Sequence, residues 1–240
     1  DRLMLVGISA NSYGAVRTLS SVTFTPSGES AIALSPVGSI ENGSGRLAAI
    51  YSLLNPPAGV TGTVAATFSG SVGNGIVAGV ANFQGVDQTL PLDPFAGATG
   101  SSTTVSLTVP SDASDLVFDT VFLGAQTLPA LAADAAQTSL WNGSASRTRG
   151  AASTKQAGGA TTTMSWTVSG GSTTFYWAAG GVSINPTGAP ITPRFNILLG
   201  RPTNTSITAS IIPDRDGALY LEYGTSPGEY AAGQTGTLTC

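Results

Sequence analysis

Two short runs concentrate the carboxylates of this chain. SDASD (111–115) places Asp112 and Asp115 three residues apart, and PDRDG (213–217) places Asp214 and Asp216 two apart. Several oxygen ligands close together in a turn suit a hard cation, so these four aspartates are the calcium candidates. The competing reading is that each aspartate caps its turn through local backbone hydrogen bonds, and neither run completes a calcium-loop signature. No other cofactor is expected, and no catalytic residue. The chain contains no histidine, which removes His-based zinc and iron sites, Ser-His-Asp triads and Cys-His dyads together. A pair of carboxylates for glycoside hydrolysis can come from distant strands. Such sites sit in grooves lined by aromatics, however, and aromatic residues are only 7% of this chain. Asp119, flanked by Val117 and Val121, reads as a residue at a sheet edge or one paired with an arginine.

Sugar binding would use an exposed aromatic ring as a stacking platform. Trp166 alternates with Met164 and Val168 and reads as core, whereas Trp141, in SLWNGSAS (139–146), reads as a turn residue near the surface. Trp141 is therefore the stacking candidate, against the alternative of packing under a loop. Three N-x-S/T triplets, at Asn42, Asn142 and Asn204, are glycosylation candidates, two of them in Gly-rich turns.

Composition narrows the class of protein. Of 240 residues, charged ones make up 9%, against about 25% in an ordinary soluble domain. The polar surface must then be built from Ser, Thr, Asn and Gln, and the 31 Gly and 14 Pro suit many short turns. This is the composition of a secreted or surface β-protein. A single lysine, Lys155, stands beside eight arginines in a chain of net charge -4. The basic footprint that phosphate contacts demand is missing, so nucleic acid is not an expected partner. No apolar run approaches the ~20 residues of a membrane-spanning helix. Cys240 is the one cysteine and excludes an internal disulfide. An Asp at position 1 reads as the start of a processed chain.

The elements that must position these residues are strands. RLMLVGIS turns Leu3, Leu5 and Gly7 one way and Met4, Val6 and Ile8 the other, as expected of a strand in the middle of a sheet. TGTVAATFSG (61–70) and TTTMSWTVSG (161–170) alternate apolar with Thr and Ser. About ten strands at close spacing predict a sandwich or jelly roll over 1–185. LPALAADAAQ (128–137) reads as a loop holding at most one helical turn. NPTGAPITP (185–193) is a stiff connector, giving a linker at 186–193. RFNILLG, TSITASII and GALYLEYG then restart the alternation over 194–240, about half of a second sandwich.

The order of DRLMLVGIS, SSVTFTPSGESAIAL, RLAAIYSLLNPPAGVTGTVAATFSG, VANFQGVDQTLP, TTTMSWTVS and FYWAAGGVSINP resembles a jelly-roll module of large secreted bacterial and archaeal proteins. That likeness implies an accessory, surface-exposed domain without chemistry of its own. LLGRPTNTSITASI and LYLEYGTSPGEY resemble the start of the fibronectin-type-III-like domain that precedes the catalytic part of purple-acid-type metallophosphoesterases. The second likeness implies a phosphoesterase domain farther along a longer gene product and places none of its chemistry in this chain.

Two readings follow. The first is a non-catalytic structural subunit of an extracellular fibre, surface layer or matrix, a homo-oligomer or polymer joined through sheet edges at its unfinished C-terminal half-domain. The alternative is an accessory module, with a glycan as ligand, cut from a larger secreted metallophosphoesterase.

Overall fold

A computed structural model describes residues 1–12, 14 and 16–188 and, between 189 and 240, the backbone of the strands alone. The chain divides into two compact units, Asp1–Ala189 and Pro190–Cys240. The described residues contain no helix, and their antiparallel sheets make an all-β, sandwich-type architecture.

The first half of the larger unit holds β1 (Arg2–Asn11), β2 (Leu19–Pro26), β3 (Ile32–Ala33), β4 (Ser35–Glu41), β5 (Arg46–Leu54), β6 (Gly62–Phe68) and β7 (Ile76–Gln84). Its second half holds β8 (Ala96–Gly100), β9 (Thr104–Pro110), β10 (Leu116–Ala125), β11 (Ala130–Ala133), β12 (Thr138–Ala145), β13 (Thr148–Gln156), β14 (Thr161–Ser169) and β15 (Phe175–Ile184). They form two inner sheets, β4-β5-β1-β7 and β12-β13-β10-β15-β8, and two outer sheets, β3-β2-β6 and β11-β14-β9.

The layering follows from which side chains cluster. On β1, Leu3 and Leu5 pack with Phe118, Ala152, Val182 and Ile184 between the inner sheets. Met4, Val6 and Ile8, on its other face, pack with Val22 and Phe24 of the first outer sheet. β10 repeats the arrangement. Phe118 and Phe122 look toward the first inner sheet, while Val117, Val121 and Leu123 pack with Leu107, Met164 and Trp166 of the second outer sheet. Both strands are central in their sheets and covered on both faces, which is why each is apolar at consecutive positions. The outer strands show the alternation of one dry and one wet face. In β14, Thr162, Met164, Trp166 and Val168 are buried and the residues between them are not.

The sequence expectations miss in places that have physical causes. LPALAADAAQ contains β11, not a helical turn, because Leu131 is buried against β14 in register with Val168. β13, TRGAASTKQ, carries no large apolar residue, yet it lies between β12 and β10 and is buried almost throughout. Small side chains let it fit where the inner sheets come close. Trp141 lies within β12, next to a register shift between Ser139 and Trp141, and not at a turn.

Its ring shows how close the inner sheets come. It lies on the backbone of β7 and β1, and a Cβ added to Gly79 would fall inside the ring's van der Waals envelope. A Cβ on Gly7 would come within 2.7 Å of Thr120 Oγ1 and 2.9 Å of the same ring. Phe118 completes the contact, its centroid 5.9 Å from that of Trp141.

In the smaller unit, β16 (Phe195–Gly200) pairs with β17 (Thr208–Pro213). β18 (Ala218–Leu219) pairs with β21 (Leu238–Thr239), and β19 (Glu222–Tyr223) with β20 (Gly233–Gln234).

Overpacking a filled core by one methyl usually costs about 1–3 kcal/mol. Gly79→Ala is therefore expected to destabilise the protein by roughly that amount, measured by urea denaturation, because the added methyl would overlap the indole ring. Gly143→Ala, where an added Cβ makes ordinary contact with Val77, is the control and should be nearly neutral.

Candidate functional site

Three clusters of polar side chains stand out against the apolar layers. The first is around Asp119. β10 puts this carboxylate on the row Val117, Asp119, Val121 and Leu123, facing the second outer sheet, with 1% of the residue exposed. Its Oδ2 accepts the Trp166 indole N–H at 2.6 Å. Its Oδ1 accepts the Ser153 backbone N–H at 2.8 Å and the Ser153 hydroxyl at 2.7 Å. Gln137 Nε2 donates to Ser153 Oγ at 2.7 Å, and Gln137 Oε1 accepts from the Ser165 N–H at 2.6 Å. The residue is thus neither at a sheet edge nor held by an arginine, as its position in the sequence suggested. The groups bonded to it are neutral. Burial pushes its carboxyl up to about 6, against the pull of the hydrogen bonds from Trp166 and Ser153. Enclosed in this way, it ties β10, β13 and β14 together and is out of reach of a substrate.

The second cluster gathers the described calcium candidates. Asp112 and Asp115 bracket the turn between β9 and β10. The Asp115 N–H donates to the Asp112 carbonyl at 3.1 Å, and Asp115 Oδ2 accepts the Asp112 N–H at 2.6 Å. The Ser183 hydroxyl donates to the same oxygen at 2.9 Å. Asp93 joins them from the segment before β8, where its N–H donates to the Ser183 carbonyl at 3.1 Å. One carboxylate oxygen from each of the three lies within 4.8 Å of the others. Ligands at about 2.3–2.6 Å from one calcium ion are at most about 5 Å apart, so the spacing fits a hard cation. The turn-capping role of Asp115 is equally plain. Asp93 sits nearly twenty residues from the SDASD run, and the sequence offered no signal joining it to them. Asp214 and Asp216 lie outside the described residues, as do Asn204 and Cys240.

The third cluster is a groove of about 500 Å³ at one end of the inner sheets. Arg46 at the start of β5, Tyr176 at the start of β15 and Arg147 in the β12–β13 turn line it, with Asn11, Asn74 and the Ser172–Thr174 loop. The guanidinium carbon of Arg46 is 3.9 Å from the centroid of the Tyr176 ring, a cation–π contact across the two inner sheets. Arg147 is anchored through its backbone. Its N–H donates to the Asn74 carbonyl at 3.0 Å, and its carbonyl accepts from Ala125 N at 3.3 Å and Asn11 Nδ2 at 3.4 Å. Thr148 Oγ1 donates to the Asn74 carbonyl at 2.9 Å. Ser146, the residue before Arg147, has φ 53°, a left-handed conformation that costs a non-glycine residue about 1–3 kcal/mol. These contacts hold the turn in one shape. Neither arginine stands out in the sequence, because the groove is made from six separate stretches of chain.

The other candidates are accounted for by packing and hydrogen bonds. The Trp141 ring, proposed as a stacking platform, is half-buried and lies on Gly7 and Gly79. Asn42 Nδ2 donates both to the Gly100 carbonyl and to the Trp177 carbonyl, each at 2.9 Å, joining the β4–β5 turn to the second inner sheet. Asn142, in β12 and not in a turn, donates to the Leu131 carbonyl at 2.6 Å and accepts from Arg149 Nη1 at 2.9 Å. Asn42 Nδ2 uses both its hydrogens, so a glycan there would replace one that the fold uses.

Comparison with protein-family models, curated proteins and solved structures finds no match for this chain.

Two outcomes test this account of the buried polar groups. The carboxyl of Asp119 is raised from its ordinary 3.8 to about 6, so its contribution to stability is fully present below pH 3.8 and lost as pH rises through 6. A shift of about two units corresponds to roughly 3 kcal/mol. Between pH 4 and 7 the wild type should lose up to that much relative to Asp119→Asn, read from urea midpoints; parallel pH profiles would refute the assignment. Asn42→Asp removes both donors and sets a carboxylate against two carbonyls, for an expected loss of about 1–3 kcal/mol in the same assay.

Proposed function

We propose that the protein is a non-catalytic structural protein of the cell exterior or cell surface, whose copies join by β-strand complementation at the C-terminal unit. In this reading the larger unit is a jelly-roll-like module and the smaller a partial fibronectin-III-like sandwich. The chain belongs to a fibre, layer or matrix, where a low-charge surface of Ser, Thr and Gly is suited to close association. Low net charge weakens the repulsion that keeps proteins apart.

The observation that carries the reading is the pairing pattern of Pro190–Cys240. Among the described residues it forms three separate two-stranded ladders. A two-stranded ladder is marginal in water, and stability generally takes a third strand or a covering layer. Open edges of this kind recruit strands from neighbouring molecules. The larger unit has an edge suited to receive one. β7 closes one side of its sheet with nine residues, IVAGVANFQ, that include neither a charge nor a proline. Ile76 and Val80 on it are 38% and 42% exposed. Edges of stable monomers usually carry one of the blocking devices that β7 lacks.

Sedimentation of the full chain over a wide range of concentration, with electron microscopy of the same samples, tests the proposal. The expected result is growth of larger species with concentration, and weakening of that growth about tenfold or more in Val80→Lys, which puts a charge on the edge strand. A single monomer boundary at every concentration overturns it.

A further inference from the structure

The groove at the end of the inner sheets has a charge opposite to that of the chain that builds it. Among the described residues that line it are two arginines and no carboxylate, in a protein of net charge -4. Two guanidinium groups sharing one concave site sum their fields there, and a guanidinium presents a planar fork that matches a carboxylate or sulfate. Amide and hydroxyl side chains of Asn11, Asn74, Gln126, Thr173 and Thr174 line it beside Gly124 and Ala125, with Tyr176 the one aromatic ring among the described lining residues.

We propose that this groove binds an acidic polysaccharide, with the carboxylate or sulfate of one sugar held by Arg147 and Arg46 and the neighbouring hydroxyls held by the amide and hydroxyl side chains. Its volume, about 500 Å³, lies within the 300–1,000 Å³ typical of small-ligand sites and is far larger than an isolated inorganic anion fills. Neutral donors and acceptors suit sugar hydroxyls, and the Tyr176 ring offers a face to a sugar's apolar side. A nucleic acid would need a longer track of cations than two arginines provide. The site is also pre-shaped. The turn carrying Arg147 is fastened to β1, to β10 and to the 73–75 loop by backbone and side-chain hydrogen bonds. Arg46 is oriented by the Tyr176 ring. Little ordering is left for a ligand to impose, which favours binding. This site is distinct from the strand edges through which copies of the chain associate, so either proposal can fail without the other.

The test uses the full chain and a defined oligogalacturonate, with a neutral malto-oligosaccharide and inorganic sulfate as comparison probes, followed by calorimetry or NMR titration. Binding is expected for the galacturonate and not for the neutral oligosaccharide. It should weaken as NaCl rises from about 50 to 500 mM. Arg147→Gln, at an exposed turn, should reduce affinity about tenfold or more, and Arg147→Lys should recover part of that loss, because charge is kept and the fork is not. Thr174→Ala should weaken the oligosaccharide and leave sulfate unaffected. An unchanged thermal midpoint in each variant separates lost contacts from lost folding. Absence of galacturonate binding, equal binding by Arg147→Gln, or sulfate binding as tight as that of the oligosaccharide would each overturn the proposal.

Discussion

The larger unit depends on two strands that are dry on both faces. β1 and β10 each sit in the middle of an inner sheet, and each sends alternate residues into two different cores. Fully burying a Leu, Ile or Phe side chain contributes about 1.5–3 kcal/mol, and these strands do so on both faces where an outer strand does so on one. An outer sheet alone, β3-β2-β6 or β11-β14-β9, has one apolar face and must cover it. The inner sheets supply that cover, and they cover each other through the contact of Trp141 with Gly7 and Gly79. That contact stands beside the apolar cluster of Leu3, Leu5, Phe118, Val182 and Ile184, which packs between the same two layers.

With so few charges, the molecule orders its buried polar atoms by hydrogen bonds to neutral partners. Asp119, the carboxylate enclosed in the core around Trp166, is bonded to an indole, a hydroxyl and a backbone N–H. Asn42 bridges two carbonyls of the opposite inner sheet, and the Ser9 hydroxyl donates to the Val121 carbonyl at 3.0 Å between the inner sheets. Such bonds are directional, and unlike surface ion pairs they are little screened by salt. They fix the sliding of one layer on another, which apolar packing alone constrains weakly. A scaffold held this way suits a saline, variable exterior, consistent with the proposed role.

The same rigidity shapes the groove. Its walls are the ends of strands whose centres are locked in the cores, and its rim is a turn fastened on three sides. The groove presents cations from an otherwise acidic protein, so its selectivity would arise from local field and shape together. Chain association would use a different feature, open strand edges, where affinity comes from backbone hydrogen bonds rather than side-chain chemistry.

Much of the architecture was legible from residue order alone, because alternation is a direct consequence of the pleat. Consecutive apolar positions in RLMLVGIS and the row Met164, Trp166, Val168 take in the structure the faces their alternation implies. β13 and β11 were missed, since small residues carry no periodic signal and only their neighbours bury them. Four layers rather than two could not be read, because a strand covered twice looks the same whatever covers it. The sites divide the same way. SDASD was visible as a local pair, whereas Asp93, Arg46 with Arg147, and the enclosure of Asp119 arise from distant segments meeting. Local chemistry follows from the chain's own spacing. Which carboxylate is desolvated, and which arginines share a cavity, depends on distances through space that sequence separation does not encode.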